Sequence, residues 1–230
     1  MDLSTDYLGL TLKNPLVPSA SPLTRDLDTA LRLEDAGAAA LVMHSLFEEE
    51  LRAEDAMLDR FLVHADLGHA ESDGFLPDLD AYRDGLERYV THLHRLKRRL
   101  EIPVVASLNG VSADGWVELG RELERAGADA LELNVYHVAA DMRQPGHAVE
   151  SRYLELLTDL RRVVNLPIAM KLSPYFSSLP NFVQQLEAAG AQGVALFNRF
   201  YQPDIDLDEM RMTDCLHLST AAEALLRIRW

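Results

Sequence analysis

Three copies of the tripeptide Ala-Gly-Ala constrain the fold of this chain more than any other feature. They occupy residues 36–38, 126–128 and 189–191, and each follows a helical pattern and precedes a short apolar run. Glycine can adopt the left-handed conformation that ends a helix, and small neighbours allow a helix to pack closely on a sheet. The repeated joint predicts βα units around a parallel sheet, built either as a barrel or as a doubly wound sheet.

The remaining patterns extend this alternation along the chain. We predict one α/β domain over residues 1–230, with a hairpin at residues 7–12, about six βα units and a solvated helical face in the polar stretch 47–80. The predicted strands are residues 16–21, 40–45, 103–109, 129–135, 167–172 and 193–198, and the predicted helices are residues 26–36, 80–100, 115–126, 151–164 and 179–189.

Composition narrows the classes of function. The formal net charge of -15 argues against nucleic acid or an anionic membrane as a partner. Cys215 is the single cysteine, which excludes an internal disulfide and a cysteine-based metal site. We expect no signal peptide, and no apolar run reaches the ~20 residues that a membrane span needs. These features predict a cytoplasmic protein that binds a small molecule.

Lys171 lies near the end of the predicted strand 167–172, just before the turn at Ser173 and Pro174. Its ammonium is therefore expected at the carboxyl end of a buried parallel strand, where barrels and open α/β sheets bind ligands. An unpaired buried ammonium costs several kcal/mol, so a partner anion or dipole is predicted nearby. The alternative is a lysine whose charged end reaches solvent.

Polar side chains end most of the predicted strands, and three of those strands end in asparagine. An amide both donates and accepts hydrogen bonds, so a ring of asparagines can bind the edge of a planar heteroaromatic ligand. Alternatively, each asparagine stabilises only its own turn. The first strand is followed by neither a Rossmann glycine pattern nor a P-loop, which argues against both sites. In chain order the strand-end residues are Ser19, Ala20, Ser21, His44, Ser45, Ser107, Asn109, Asn134, Tyr136, His137, Lys171, Ser173, Asn198 and Arg199.

Three segments, taken in order, resemble the dihydroorotate dehydrogenase family, most closely its soluble class 1 branch and the dihydroorotate dehydrogenase-like proteins. They are Asn-Pro-Leu-Val-Pro-Ser-Ala-Ser at residues 14–21, Glu-Leu-Asn at 132–134 and Met-Lys-Leu-Ser-Pro-Tyr-Phe at 170–176. The resemblance implies a (β/α)8 barrel of the TIM-barrel type that holds FMN at the carboxyl ends of its strands. It also implies the oxidation of dihydroorotate to orotate in pyrimidine biosynthesis, with transfer of a hydride to the flavin.

The same resemblance implies roles for individual residues. Ala20 and Ser21 match the first-strand turn beside the flavin. Asn134 matches an asparagine that contacts both flavin and substrate, and Asn198 falls where the family has a substrate-contacting asparagine. Lys171 matches the lysine that lies against the flavin ring, where a cation stabilises the negative charge of the reduced cofactor.

Several positions depart from the family pattern. His44 and Ser45, expected beside the flavin, stand where the family usually has Lys-Ser. His137 occupies the position of the catalytic base, which is cysteine in class 1 and serine in class 2. Histidine is a competent general base, so His137 either takes the substrate proton or is a loop residue in a protein that lost the reaction. Arg199 is bulkier than its family counterpart.

The number of units also departs from the family. The last two strands of the family carry glycine-rich turns that hold the FMN phosphate, and we find no match for them here. Residues 225–230 are expected to begin a seventh strand. We therefore expect a C-terminally truncated barrel without its last two βα units, or a barrel that is completed by a partner, with a homodimer allowed. The phosphate-binding part of the site is expected to be absent from this chain.

Three hypotheses for function remain open. The first is an FMN-dependent oxidoreductase acting on a dihydroorotate-like substrate, with Lys171, Asn134 and His137 at the chemistry. The second is a catalytically inactive barrel remnant that serves as a binding or assembly module. The third is a barrel enzyme in which Lys171 forms a Schiff base. No metal site is predicted, because His92 and His94 would point to different sides of their helix.

Overall fold

A parallel sheet flanked by helices organises the molecule. The computed structural model describes residues 1–65, 85–110, 112–135, 137–198, 204–213 and 220–230. In chain order its elements are β1 Thr5–Tyr7, β2 Leu10–Leu12, a 3₁₀ helix at Pro22–Arg25, α1 Leu27–Asp35, β3 Leu41–Phe47, α2 Glu48–Ala65, α3 Gly85–Arg99, β4 Val104–Asn109, α4 Ala113–Arg125, β5 Ala130–Asn134, α5 Gly146–Arg161, β6 Ile168–Leu172, α6 Leu179–Ala188, β7 Gly193–Leu196, β8 Asp204–Asp206, β9 Arg211–Thr213, a 3₁₀ helix at Ala221–Glu223 and α7 Ala224–Arg229.

The strand order confirms the predicted α/β fold and favours the barrel over the doubly wound alternative. The five strands lie in the order β3-β4-β5-β6-β7, and every neighbouring pair is parallel. A doubly wound sheet reverses its strand order at a switch point, whereas a barrel runs in one direction. Within the described residues these strands form an open sheet and not a closed barrel.

The predicted helix–strand joints are confirmed. Gly37, Gly127 and Gly190 have φ values of 105°, 85° and 108°, which is the left-handed region that ends a helix. Each glycine N–H bonds back to the last turn of its helix, as in the bond from Gly127 to the carbonyl of Glu124 at 3.0 Å. These joints bring α1, α4 and α6 to an end and lead the chain back into the sheet.

The two faces of the sheet carry different side chains. Leu131, Leu133 and Met170 point outward and form the main core with the helices, and all three are fully buried. Residues between them, such as Glu132 and Lys171, point to the opposite, inner face because side chains alternate along a strand. The segment predicted as a uniform apolar strand thus combines large outward residues with small or polar inward ones.

A hairpin closes one end of this inner face, as the sequence predicted. Leu8 and Gly9 connect β1 to β2 with positive φ values of 55° and 72°, the combination that a tight type I′ turn needs. Leu8 is 3% exposed and packs against Val42, Val105 and Ala169, near the amino ends of their strands. The hairpin therefore leaves the carboxyl ends of the strands as the open end.

Two predicted strands are wrong. Residues 16–21 form no strand, and only the carbonyls of Leu16 and Pro18 accept bonds from the chain entering β3, at 2.9 and 3.1 Å. Pro15 and Pro18 lack the N–H groups that would continue a ladder. Residues 225–229 belong to α7, with Trp230 as its C-cap, and the helix follows a capping box between Thr220 and Glu223.

The remaining predicted strands and helices are present with shifted ends, whereas the pair β8–β9 was not predicted. The helix predicted at 151–164 begins at Gly146, directly after Pro145, and ends at Arg161. Predictions that concern Tyr136, Arg199 and Cys215 lie outside the described residues. In the part of the chain that the structure covers, we find no helix with the length and apolar character needed to cross a membrane.

Phe182 provides a test of the packing between helices and sheet. It is fully buried, and its ring centroid lies 5.6 Å from that of Tyr153 and 4.4 Å from that of Phe176. We expect Phe182→Ala to lower the free energy of unfolding in urea by about 3–5 kcal/mol, because it removes buried surface and leaves a cavity. Gln184→Ala, on the exposed side of α6, should change it by less than about 0.5 kcal/mol. A loss below about 1 kcal/mol in Phe182→Ala would contradict this packing.

Candidate functional site

A pocket opens at the carboxyl ends of the parallel strands. Its volume is about 630 Å³, within the range of small-molecule sites. The structure brings seven of the eight predicted site residues to its walls: Ala20, Ser21, His44, Ser45, Asn134, Lys171 and Asn198. Other lining residues that bear on the chemistry are Arg25, Glu132, Ala195 and Arg227. Residues far apart in sequence therefore share one site because the strands that carry them are neighbours.

Lys171 has the anionic partner that the sequence analysis predicted. Its Nζ donates to Oε1 of Glu132 at 3.2 Å, and the two side chains are 14% and 5% exposed. In the sheet register Lys171 faces Asn134, and Glu132 points to the same inner face two residues earlier in β5. A buried pair of this kind is costly to break, because removing one partner leaves an unpaired charge away from water.

Glu132 also acts on Tyr7, which packs against the inner-face cluster from the hairpin. Burial, followed by the nearby negative charge of Glu132, raises the pKa of the Tyr7 phenol to about 12. Tyr7 therefore stays neutral over the physiological range. The carboxylate of Glu132 thus has two different neighbours. One is the ammonium of Lys171 on β6, and the other is the neutral phenol of Tyr7 on the hairpin.

Two asparagines form a bridge across the pocket wall. Asn198 donates from Nδ2 to Oδ1 of Asn134 at 2.5 Å, and its backbone N–H donates to the carbonyl of Leu172 at 2.6 Å. The bridge fixes the end of β5 relative to the segment after β7. An amide has two donors and two acceptor lone pairs, so both asparagines retain capacity for a ligand.

His44 is held by its backbone and is neutral at physiological pH. Its N–H donates to Oγ1 of Thr24 at 2.7 Å, and its carbonyl accepts from the hydroxyl of Tyr89 at 2.9 Å. Burial lowers the pKa of His44 to about 4, and the positive charges of Arg25 and His92 add to the effect. Nδ1 of His44 is buried, and no described residue hydrogen-bonds to it.

The pocket suits the planar ring of FMN better than its phosphate. Ala20 and Ala195 have small side chains, which let a flat ring approach the backbone, while Lys171 and the asparagine bridge supply polar contacts. The orphaned Nδ1 of His44 is a buried group that a ligand could satisfy. No glycine is among the described residues that line the pocket, so the phosphate has no glycine-rich turn there.

His137 lies apart from this pocket. Its Nδ1 accepts a hydrogen bond from Nη1 of Arg152 at 3.0 Å, so Nε2 carries the proton and donates to Oε1 of Gln144 at 3.1 Å. Both ring nitrogens are therefore engaged in the loop after β5. The role of His137 as a catalytic base stays a prediction.

Three charged lining residues escaped the sequence analysis. Glu132 had a signal, because it precedes Asn134 by two residues and so shares its face of the strand. Arg25 ends the 3₁₀ helix that follows the first predicted turn, and Arg227 comes from α7, which was predicted as a strand. Neither arginine had a signal at the level of sequence. Within the described ranges, no three metal-binding side chains come together.

Comparison with known proteins finds dihydroorotate dehydrogenases among the relatives of this chain. No protein-family model matches the chain. The catalytic subunit of dihydroorotate dehydrogenase B (NAD(+)) from Thermoplasma acidophilum is 28% identical over 192 residues, which cover 83% of this chain and 60% of that protein. Dihydroorotate dehydrogenase A (fumarate) from Lactobacillus delbrueckii subsp. bulgaricus is 26% identical over 210 residues, or 86% of this chain and 64% of that protein.

This chain is similar in sequence to dihydroorotate dehydrogenases over 83–89% of its length. The NAD(+)-type catalytic subunit from Listeria welshimeri agrees, with 26% identity over 210 residues, 89% of this chain and 65% of that protein. The chain spans 60–65% of the length of these relatives. Among solved structures, a dihydrodipicolinate synthase from Agrobacterium tumefaciens gives a TM-score of 0.49 at 13% identity over 78% of this chain and 52% of that one, a likeness too low to carry an argument.

The lowered pKa of His44 predicts how the stability of this chain depends on pH. Below the ordinary histidine pKa of about 6.5, His44 binds a proton in the unfolded chain but not in the folded one until pH approaches 4. Stability should therefore fall as pH falls through this window. Part of the ring is exposed, so we expect a loss of about 1–2 kcal/mol and not the full value of the shift.

Urea unfolding of wild type and His44→Gln at pH 7 and pH 4.5 measures this loss, because glutamine cannot bind a proton at position 44. The wild type should lose about 1–2 kcal/mol more than the variant. His94→Gln removes an exposed histidine of α3 and should behave as the wild type does. Parallel losses in wild type and His44→Gln would contradict the assigned environment of His44.

Proposed function

We propose that this chain provides the ring-binding part of a flavin-dependent oxidoreductase site that acts on a dihydroorotate-like substrate. The observation that carries the proposal is the shared pocket of Lys171, Asn134 and Asn198 at the carboxyl ends of three adjacent strands. The sequence relationship to dihydroorotate dehydrogenases supports the same reaction class.

Bound FMN would supply the hydride acceptor. Lys171 would provide a fixed positive charge beside the ring, because Glu132 holds its ammonium at 3.2 Å and limits its movement. Asn134 and Asn198 would orient the substrate with the amide groups that their mutual bond leaves available. Ala20 and Ser21 would form the wall opposite, where small side chains leave room for a planar group.

His44 would act differently from the lysine that the family usually has at this position. At pH 7 its imidazole is neutral, so it can donate or accept a hydrogen bond but adds no charge. Arg25 lines the same pocket and is the nearby cation on this side. The positive charge of the site is therefore divided among Lys171 on β6, Arg25 on the 3₁₀ helix and Arg227 on α7.

The Schiff-base hypothesis for Lys171 receives less support. A nucleophilic lysine needs a neutral amine with a free lone pair. Here the nitrogen already donates to the carboxylate of Glu132, which is 5% exposed. The ion pair therefore favours an electrostatic role for Lys171 over a covalent one.

A non-catalytic binding module is the second candidate. It is favoured by the position of His137, whose ring nitrogens are occupied by Gln144 and Arg152 outside the pocket. In this case the pocket would bind a planar ligand, but no residue would be placed to remove a proton from it. The first and second candidates share the ligand class and differ in turnover.

Titration of the protein with FMN tests the flavin site, with FMN fluorescence as the measurement. We expect saturable binding by the wild type, weakened about tenfold in Lys171→Met/Glu132→Gln, since a charge-assisted contact is lost. Replacing both partners leaves no unpaired buried charge, so the variant should fold. Lys13→Met removes an exposed lysine and is the matched control.

Two results would reject the flavin proposal. One is the absence of saturable FMN binding by folded wild type. The other is equal FMN affinity in the wild type and the double variant. Binding without any oxidation of dihydroorotate would instead favour the second candidate.

A further inference from the structure

A second cavity adjoins the candidate site and has a different chemical character. Its volume is about 600 Å³, and it lies between the 3₁₀ helix Pro22–Arg25, α2 and α3. Arg25, His44 and Ser45 line both spaces, so the two cavities share this wall. No role in the proposed flavin site draws on the remainder of this cavity.

Positive charge predominates on the described walls of the second cavity. Arg25, Arg88 and Arg95 line it, with Glu50 and Glu54 as the two carboxylates. Glu54 is already engaged, because it accepts from Nη2 of Arg88 at 2.6 Å and from the backbone N–H of Gly85 at 2.9 Å. This local excess of positive charge is notable in a chain with a formal net charge of -15.

Two of the arginines have side chains available for a ligand. Arg25 and Arg95 are exposed, and neither forms an ion pair or a side-chain hydrogen bond with another described residue. A guanidinium offers five N–H donors in a planar fork that matches the oxygens of a carboxylate or a phosphate. Glu50 is the other carboxylate of the cavity. Its single negative charge can balance the charge of only one of these two arginines.

Two histidines, His44 and His92, also line this cavity. Nε2 of His92 lies 2.7 Å from the carbonyl of Thr24, which can only accept, so this nitrogen carries the proton. His92 Nδ1 then has a lone pair, or a second N–H when the ring is protonated. His44 lies beside it, with ring centroids 6.0 Å apart, and its buried Nδ1 is bonded to no described residue.

We propose that the second cavity is an oxyanion site, in which Arg25 and Arg95 bind a carboxylate or phosphate group. The anion either belongs to the molecule that occupies the candidate pocket or is a separate ligand, and the guanidinium chemistry is the same in both cases. The site extends the specificity of the chain toward acidic ligands on the side away from Lys171. It does not depend on flavin binding, so it can be tested even if the proposed flavin site is wrong.

Calorimetric titration with inorganic phosphate at constant ionic strength tests the site in the full chain. We expect Arg25→Gln/Arg95→Gln to weaken phosphate binding by at least about tenfold, because two charged donors are lost. The control Arg98→Gln/Arg121→Gln removes the same charge from exposed positions on α3 and α4 and should change affinity by less than about twofold. All four positions are exposed, so both variants should fold.

Orotate and uracil then distinguish the two sources of the anion, since only orotate carries a carboxylate on the shared ring. Competition of orotate, but not uracil, with phosphate assigns the anion to the molecule in the candidate pocket. Simultaneous binding of orotate and phosphate assigns it to a separate ligand. The proposal is overturned if the wild type shows no saturable phosphate binding at millimolar concentration, or if both double variants lose affinity equally.

Discussion

The ion pair between Lys171 and Glu132 is the constraint on which the rest of the site depends. It places two opposite charges on the inner face of the sheet, where the side chains are 14% and 5% exposed. Removing either partner would leave an unpaired charge in a poorly solvated place, at a cost of about 3–5 kcal/mol. Because the pair is costly to break, it restricts which side chains can pack next to it. It also keeps the ammonium of Lys171 at a defined position below the carboxyl ends of the strands.

The alternation of side chains along β5 and β6 makes this arrangement compatible with a stable fold. Outward residues such as Leu133 and Met170 fill the main core against the helices, so that core does not require apolar side chains at every inward position. The inner face can then carry Glu132, Asn134 and Lys171 in succession. The hairpin closes the amino end through Leu8, which leaves a single end of the described sheet for ligands.

Much of the fold could be predicted from sequence because its signals are local. The glycines of the Ala-Gly-Ala joints show the expected positive φ, and the hairpin at Leu8 and Gly9 follows from turn chemistry. The failures have local causes as well. Pro15 and Pro18 prevented a regular first strand, and α7 replaced an expected strand because an apolar run alone cannot distinguish a helix from a strand.

Residues of the site could be predicted from the sequence only where they lie at the ends of strands. Lys171, Asn134 and Asn198 were identified this way, and the need of a buried ammonium for an anion predicted a partner without naming Glu132. Arg25 lines the pocket because the chain after residue 21 turns into a 3₁₀ helix, and sequence periodicity does not predict that turn. His137 is the opposite case. Its position after β5 predicted that it would line the pocket, but its ring is hydrogen-bonded to Gln144 and Arg152 outside the pocket.

A double-mutant cycle on Lys171 and Glu132 tests the central claim most directly. The free energies of unfolding of wild type, Lys171→Met, Glu132→Gln and the double variant give the coupling between the two side chains. We predict a coupling of about 1–3 kcal/mol, with the double variant more stable than the sum of the single losses implies. The exposed pair Arg162 and Asp159 should give less than about 0.5 kcal/mol in the same measurement. Additive losses for Lys171 and Glu132, within about 0.5 kcal/mol, would contradict the account.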